Sequence, residues 1–256
     1  MNLSDITVVV LTKNEAARID GCLASIPPGC SMLVYDSQST DGTVQRARDR
    51  GAQVVDGAWR GFAQTRLDAA ALVSSAWTFM LDADELITPE LSVELESLEP
   101  ASGVAAYSVP RRNYFCGSWV RGAGWWPDRL VRLFRTGHAG ITSRHGGEAA
   151  LHEMWQPDGA CAELASPLEH RSYASLADYR TKFERYTDIE ASAMSADPLA
   201  VVSASSLFPL RVLWLFFARG AILDGWRGAY IAWCSALYPV AVAAKAARRA
   251  QPGAAG

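Results

Sequence analysis

Asp82 and Asp84 stand two positions apart, directly after the apolar run Trp77-Thr-Phe-Met-Leu81. Ionised acids at the end of a buried strand need a compensating charge. Carboxylates so spaced can hold a divalent cation, which can in turn bridge a substrate diphosphate. Asp36 ends a second apolar run, Met32-Leu-Val-Tyr35, where an acid can accept hydrogen bonds from a base or ribose. Ser39 and Asp41 follow in the same polar loop, and either can cap a helix that begins at Thr43. No G-x-G-x-x-G or G-x-x-x-x-G-K-[ST] occurs, which disfavours dinucleotide and P-loop sites. The chemistry these loops imply is nucleotide-diphosphate binding with a metal. The same D-x-D also admits a phosphohydrolase with Asp82 as nucleophile and Asp84 as acid/base. Glu85-Leu86 after it, and its place on about the fourth strand, fit that alternative poorly.

The elements that position these acids alternate in type. Apolar runs at residues 6–11, 32–35, 53–55 and 77–81 predict short buried strands. Between them, residues 16–25, 43–50 and 61–74 predict helices, broken by Pro27-Pro28-Gly29 and Gly51. Strands alternating with helices imply βαβ units, a mostly parallel central sheet, and ligands at the carboxyl ends of the strands. The polar loops 12–15, 36–43 and 82–85 lie at those ends.

With 256 residues, half hydrophobic and 20% charged, the chain can bury a large core, and disorder is excluded. A net charge of −3 argues against a nucleic-acid partner. Cys22, Cys30, Cys116, Cys161 and Cys234 show no metal or disulfide spacing and predict a reducing compartment. The amino terminus carries no pattern of a signal peptide. The charge is unevenly spread: from Leu199 to Gly256 six basic residues face one acid, Asp224, in a sequence rich in Trp, Phe and Leu. Arg211 and Pro239 interrupt its two apolar runs. An amphipathic membrane-associating surface is therefore expected there rather than a clean span. Buried helices or a contact between two copies of the chain are the alternatives.

Taken in order, Val-Val-Val-Leu-Thr-Lys-Asn-Glu (8–15), Tyr-Asp-Ser-Gln-Ser-Thr-Asp-Gly-Thr (35–43) and Leu-Asp-Ala-Asp-Glu (81–85) resemble glycosyltransferase family 2. Within it, the chain is most similar to bacterial lipopolysaccharide core β-1,4-glucosyltransferases. That closer resemblance runs through Arg112-Asn-Tyr-Phe-Cys-Gly117, Gly124-Trp-Trp-Pro-Asp128, Arg132-Leu-Phe-Arg135, His152-Glu153, His170-Arg-Ser-Tyr173, Lys182 and Asp224-Gly225. It implies a GT-A fold, an inverting mechanism and a Mg2+ or Mn2+ cofactor. Thr12, Asn14 and Glu15 match the first nucleotide-binding loop, Asp36 the acid that reads the base, and Ser39 and Asp41 the second loop. Asp82 and Asp84 match the metal motif, Asp84 being the expected direct ligand. Arg66 is expected at a phosphate, although Arg66-Leu-Asp68 departs from the Lys/Arg-Asn of relatives. Tyr35 likewise stands where many relatives carry another acid.

Inverting transfer needs a carboxylate to deprotonate the acceptor hydroxyl. Asp128 and Glu153 are the two candidates, Glu153 being favoured by chain order. Trp125 and Trp126 offer aromatic faces that suit an acceptor sugar, and Arg132 and His152 complete the expected acceptor site. The expected organisation is a GT-A domain over 1–198, with a nucleotide-sugar half (1–100) and an acceptor half (101–198). An apolar helical, membrane-associating appendage follows over 199–256. The resemblance implies UDP-glucose as donor and a lipid-linked lipopolysaccharide core heptose as acceptor, at the inner face of the cytoplasmic membrane. A catalytically silent nucleotide-binding membrane scaffold is the other alternative.

Overall fold

A computed structural model describes residues 1–143, 153–194 and 197–250. Of these, residues 1–111, 129–143 and 153–170 pack as one compact unit, and residues 112–128, 171–194 and 197–250 as another.

The first unit is built on parallel strands β1 (Ile6–Thr12), β2 (Ser31–Asp36), β3 (Gln53–Asp56) and β4 (Trp77–Asp82), with helices α1 (Ile19–Ala24), α2 (Thr43–Asp49) and α3 (Phe62–Ala70) between them. All four strands and all three helices fall where the sequence predicts them, the helices somewhat shorter. Short strand β5 (Glu85–Ile87), helix α4 (Pro89–Ser97) and strands β6 (Val104–Phe115), β7 (Ser118–Trp119) and β8 (Asp128–Arg135) follow. Next come β9 (Ala139–Ser143), β10 (Glu153–Pro157), β11 (Ala160–Glu163) and β12 (Leu168–Tyr173). The sheet order is β3-β2-β1-β4-β8-β6-β12-β5, with β11 and β7 each paired to β6. The β8 strand runs antiparallel to β4, and β12 antiparallel to β5, so the sheet is mixed around a parallel core.

Both faces of β1 are covered, which is why its sequence is continuously apolar. Val8 and Val10 pack with Ile19 and Leu23 of α1 and with Leu91 and Leu95 of α4. Val9, between them, points the other way, toward Ala69 of α3, Phe134 and Trp155. Thr88 caps α4 by accepting from the Leu91 N–H at 3.2 Å, with Pro89 at its first turn. The registers align the strand ends: Thr12 lies opposite Asp36, Asp36 opposite Asp56, and Leu11 opposite Asp82. Their carboxyl ends therefore form one edge, the place where open α/β sheets bind ligands.

The second unit holds helices α5 (Leu176–Ala193), α6 (Pro198–Leu213) and α7 (Gly225–Arg249). A single π-helical stretch, Trp214–Ala218, extends α6. Its core is aromatic: Phe115 stacks on Tyr230 and meets Trp125, Tyr173 and Tyr179 edge-on. Ser175 and Asp178 form a reciprocal capping box at the start of α5.

Candidate active site

The Asp36 loop is held by neutral donors. The Asp36 carboxylate, 2% exposed, accepts from Thr12 Oγ1 at 2.7 Å, Ser39 Oγ at 2.6 Å and the Ser39 N–H at 2.7 Å. Ser39 Oγ in turn accepts from the Asn14 N–H at 2.7 Å, and Asn14 Oδ1 from the Thr40 N–H at 2.8 Å. Asp41 accepts from the Ala16 and Thr43 N–H groups, and Thr43 Oγ1 accepts from the Glu15 N–H at 2.8 Å. These bonds hold Asp41 below the usual carboxylate range, the Thr43 hydroxyl contributing most. Asn14 and Gln38 take left-handed backbone (φ 57° and 59°) to make the two turns. Thr12, Asn14, Glu15, Asp36, Ser39 and Asp41 are thus brought into one cross-linked pair of loops. Beside it lies a cavity of about 320 Å³ lined by Asp36, Gln38, Ser39, Thr40, Arg48 and Asp56 among others.

The second cluster is ionic. Arg66 Nη2 donates to Asp82 Oδ1 at 3.1 Å, and Arg132 Nη2 to Asp82 Oδ2 at 2.7 Å. Arg132 Nη2 also reaches Glu85 Oε1 at 2.5 Å, which accepts from Arg111 Nη1 at 3.1 Å as well. Glu85 Oε2 accepts from the Asp82 N–H at 3.1 Å, tying the two ends of the turn together. Burial alone would raise the Asp82 pKa, but Arg132 and Arg66 outweigh it and hold the group ionised well below the usual carboxylate range. Burial works against the charge on Arg132 too, and Asp82 and Glu85 more than compensate. The charge that two adjacent acids require at this strand end is therefore supplied in large part by arginines.

Asp84 lies beside His170, with Oδ2 and Nε2 3.6 Å apart and both side chains less than one-fifth exposed. Among the described residues no three His, Cys, Asp or Glu side chains converge as a ready metal cage. A carboxylate oxygen and an imidazole nitrogen at this separation can nevertheless serve as donors to a divalent cation, and the nitrogen favours Mn2+ over the oxygen-preferring Mg2+. The donor set fits a divalent cation at Asp84 and His170, with Asp82 committed to its arginines.

Other expected site residues are placed as follows. Arg132, expected at an acceptor, is 3% exposed and belongs to the Asp82–Glu85 cluster. Trp125 packs against Phe115 and Tyr173, and Trp126 stands edge-on to Trp119. The Asp128 carboxylate accepts from Asn113 Nδ2 at 3.1 Å. Glu153 opens β10 opposite Ser143; its side chain lies outside the described residues, as does His152 altogether. Asp68 accepts from Arg60 and Gln64. Glu85, Arg111 and the pairing of His170 with Asp84 are the members that the sequence pattern does not assign. The signal for Glu85 is an acid that starts a short apolar strand, Glu85-Leu-Ile87, in place of ending the loop.

A mixed sheet with a parallel core, and two polar loops and a D-x-D at the carboxyl edge of that core, has the architecture of the GT-A fold. The profile of the family Glycosyl transferase family 2 matches residues 7–155, and the chain belongs to that family. This leaves the phosphohydrolase alternative without support. Over 95% of its length, and 92% of the relative's, it is 28% identical to the lipopolysaccharide core biosynthesis glycosyltransferase LpsC of Rhizobium meliloti. An uncharacterized glycosyltransferase of Rickettsia bellii is 38% identical over 36% of this chain and 31% of its own length. Among solved structures, the mannosyltransferase PcManGT of Pyrobaculum calidifontis, in complex with GDP-Man and Mn2+, superposes with a TM-score of 0.55. The match covers 96% of this chain and 88% of that one at 18% identity, and it supports the fold.

Proposed function

We propose that this glycosyltransferase moves a hexose, glucose from UDP-glucose, onto a lipid-linked glycan with inversion at the anomeric carbon. The proposed acceptor is a heptose of the lipopolysaccharide inner core, presented at the cytoplasmic face of the inner membrane. Residues 1–198 form the catalytic part in this reading, and 199–256 its membrane-associating appendage. The observation that carries it is the pairing of Asp82 with Arg66 and Arg132, and of Asp84 with His170, at the carboxyl end of β4 in a member of this family.

The nucleoside is assigned to the cavity beside Asp36, with Thr12, Asn14, Glu15, Ser39 and Asp41 shaping its rim. Asp84 and His170 would hold Mg2+ or Mn2+, whose contribution when bound is to neutralise charge on the diphosphate. Arg66 and Arg132, oriented by Asp82 and Glu85, are assigned the charge that grows on the diphosphate as its bond to the anomeric carbon breaks. The acceptor hydroxyl oxygen forms the new bond, and its proton passes to a carboxylate, Glu153 by preference and Asp128 otherwise. Asn113 Nδ2 donates to the Asp128 carboxylate at 3.1 Å and helps to orient it. Trp125, Trp126 and His152 are assigned to the acceptor side.

Calorimetric titration with UDP, with and without Mn2+, tests the donor site. Mn2+ should tighten UDP binding, and Asp84→Asn should weaken the metal-dependent part by at least about tenfold. Binding of GDP in place of UDP would replace the donor; no binding of UDP, GDP, ADP or TDP would sink the reading and favour a silent scaffold. For the base, Glu153→Gln should cut transfer by about 100-fold or more while sparing UDP affinity. The same pattern confined to Asp128→Asn would move the role to Asp128.

A further inference from the structure

Two apolar helical stretches are long enough to cross a membrane, Leu199–Ala218 and Ala221–Arg249, but they are embedded very differently: 6% of the most apolar 18-residue window of the first is buried, against 39% for the second. The α7 helix is a structural member of its unit. Its Ile231, Ala232, Cys234, Val242 and Ala246 are buried. Its cation Lys245 binds Glu184 Oε2 at 2.6 Å and Asp188 at 3.2 Å on α5, and Arg249 is 3.6 Å from Asp188. These charges, part of the basic excess of the tail, are already matched within the protein.

The α6 helix covers one flank against α7, where Phe208 meets Trp233 edge-on at 4.8 Å between ring centroids. On its other flank Leu199, Val202, Leu210, Leu213 and Phe217 recur at helical spacing and are exposed, joined by Trp214. Two serines on this side do not require water. Ser203 Oγ donates to the Ala200 carbonyl at 3.1 Å, and Ser206 Oγ to the Ser203 carbonyl at 3.0 Å. The apolar surface continues into Ile222 and Leu223, the latter 84% exposed. Between Leu199 and Leu223 the only charges are Arg211 and Arg219, and neither forms an ion pair among the described residues. The next acid, Asp224, is turned inward to the Arg121 and Gly122 N–H groups.

We propose that α6 with its π-helical extension is the membrane-inserting element, lying in the plane of an anionic bilayer surface, while α7 serves as the strut behind it. The inference rests on the membrane reading above and assigns it to one helix face and one lipid chemistry. Leu199, Val202, Leu210, Leu213 and Phe217 enter the acyl boundary, and Arg211 and Arg219 meet lipid phosphates. Arg211 in mid-helix opposes a full span. A second copy is the poorer occupant, because a symmetric pair would bring two cations of one copy against two of the other with no acid between.

The test is flotation of the full chain with vesicles of phosphatidylglycerol and phosphatidylcholine, against phosphatidylcholine alone. Wild type should bind the anionic vesicles at least tenfold better. The double variant Leu210→Glu/Phe217→Glu should lose at least tenfold of that binding with an unchanged thermal melt, and Arg248→Glu, on the free end of α7, should keep it. Wild type binding that survives the double substitution overturns the assignment to α6. Absence of any vesicle binding overturns the membrane reading itself. A concentration-dependent dimer abolished by the double substitution, without vesicle binding, would make the face a contact between copies and overturn both. Quenching by brominated lipid gives a readout independent of that variant: Trp214→Phe should remove at least one-third of it and Trp59→Phe none, the reverse result overturning the proposal. Donor hydrolysis in free solution should survive Leu210→Glu/Phe217→Glu, and Asp84→Asn should float like wild type. Loss of the catalytic reading therefore registers separately from loss of this one.

Discussion

Asp36 and Asp82 close the two strands that flank β1, and the protein answers their charges in different ways. Among the described residues Asp36 accepts from neutral donors, two hydroxyls and a backbone N–H, all from its own loop or from Thr12. Asp82 is met by two guanidiniums, one from α3 and one from β8, 16 and 50 residues away. Hydrogen bonds within a loop fix its shape and leave its charge unspent, which suits a site that must recognise a neutral base or ribose. An ion pair between distant elements ties strands together and places cations at the edge, which suits a site for a diphosphate.

Arg132→Met tests the ionic half and should have the largest effect on stability. It removes one of the two guanidiniums on Glu85, which is wholly buried and would keep only Arg111, and one of the two on Asp82, which would keep only Arg66. A loss of about 3–5 kcal/mol is expected in urea unfolding; a loss below about 1 kcal/mol would mean that water replaces the guanidinium. Thr12→Val keeps the volume at a residue that is 3% exposed and removes one hydrogen bond to Asp36. It should cost about 1.5–3 kcal/mol, with UDP affinity falling alongside if the loop shapes the nucleoside site. The last test is acid. The Asp82 pKa is depressed in the folded state, so its contribution is fully present above the unfolded carboxylate value of about 3.9 and is lost as pH falls below it. Unfolding followed by circular dichroism should show this acid limb in wild type and a weaker one in Arg132→Met.

The parallel core was legible in the sequence because β1, β2 and β4 are short β-branched or apolar runs that end in polar loops. The D-x-D and the Asp36 loop could be placed for the same reason. What could not be read was who partners whom. Arg132 stands in a stretch with several other arginines, and nothing local distinguishes the one that is buried against Asp82 and Glu85 from those on the surface. His170 reaches Asp84 only because β12 pairs with β5. The two tail helices are similarly apolar in composition, and only their packing separates the helix pinned to α5 from the one left bare.

Backbone contacts in the second unit leave no space for side chains at two positions. A Cβ on Gly228 would lie 1.9 Å from the Ala221 carbonyl oxygen, and one on Gly122 within 2.5 Å of the Gly220 and Ala221 backbone. Neither neighbour is a flexible side chain that can swing aside, so even alanine should cost about 1–3 kcal/mol or more. A saturation screen for lost activity would therefore rank these glycines beside the acids of the D-x-D, although they have no part in the chemistry. Scoring the same library for abundance as well as turnover would separate the two groups, and positions intolerant in turnover alone would trace the reaction centre.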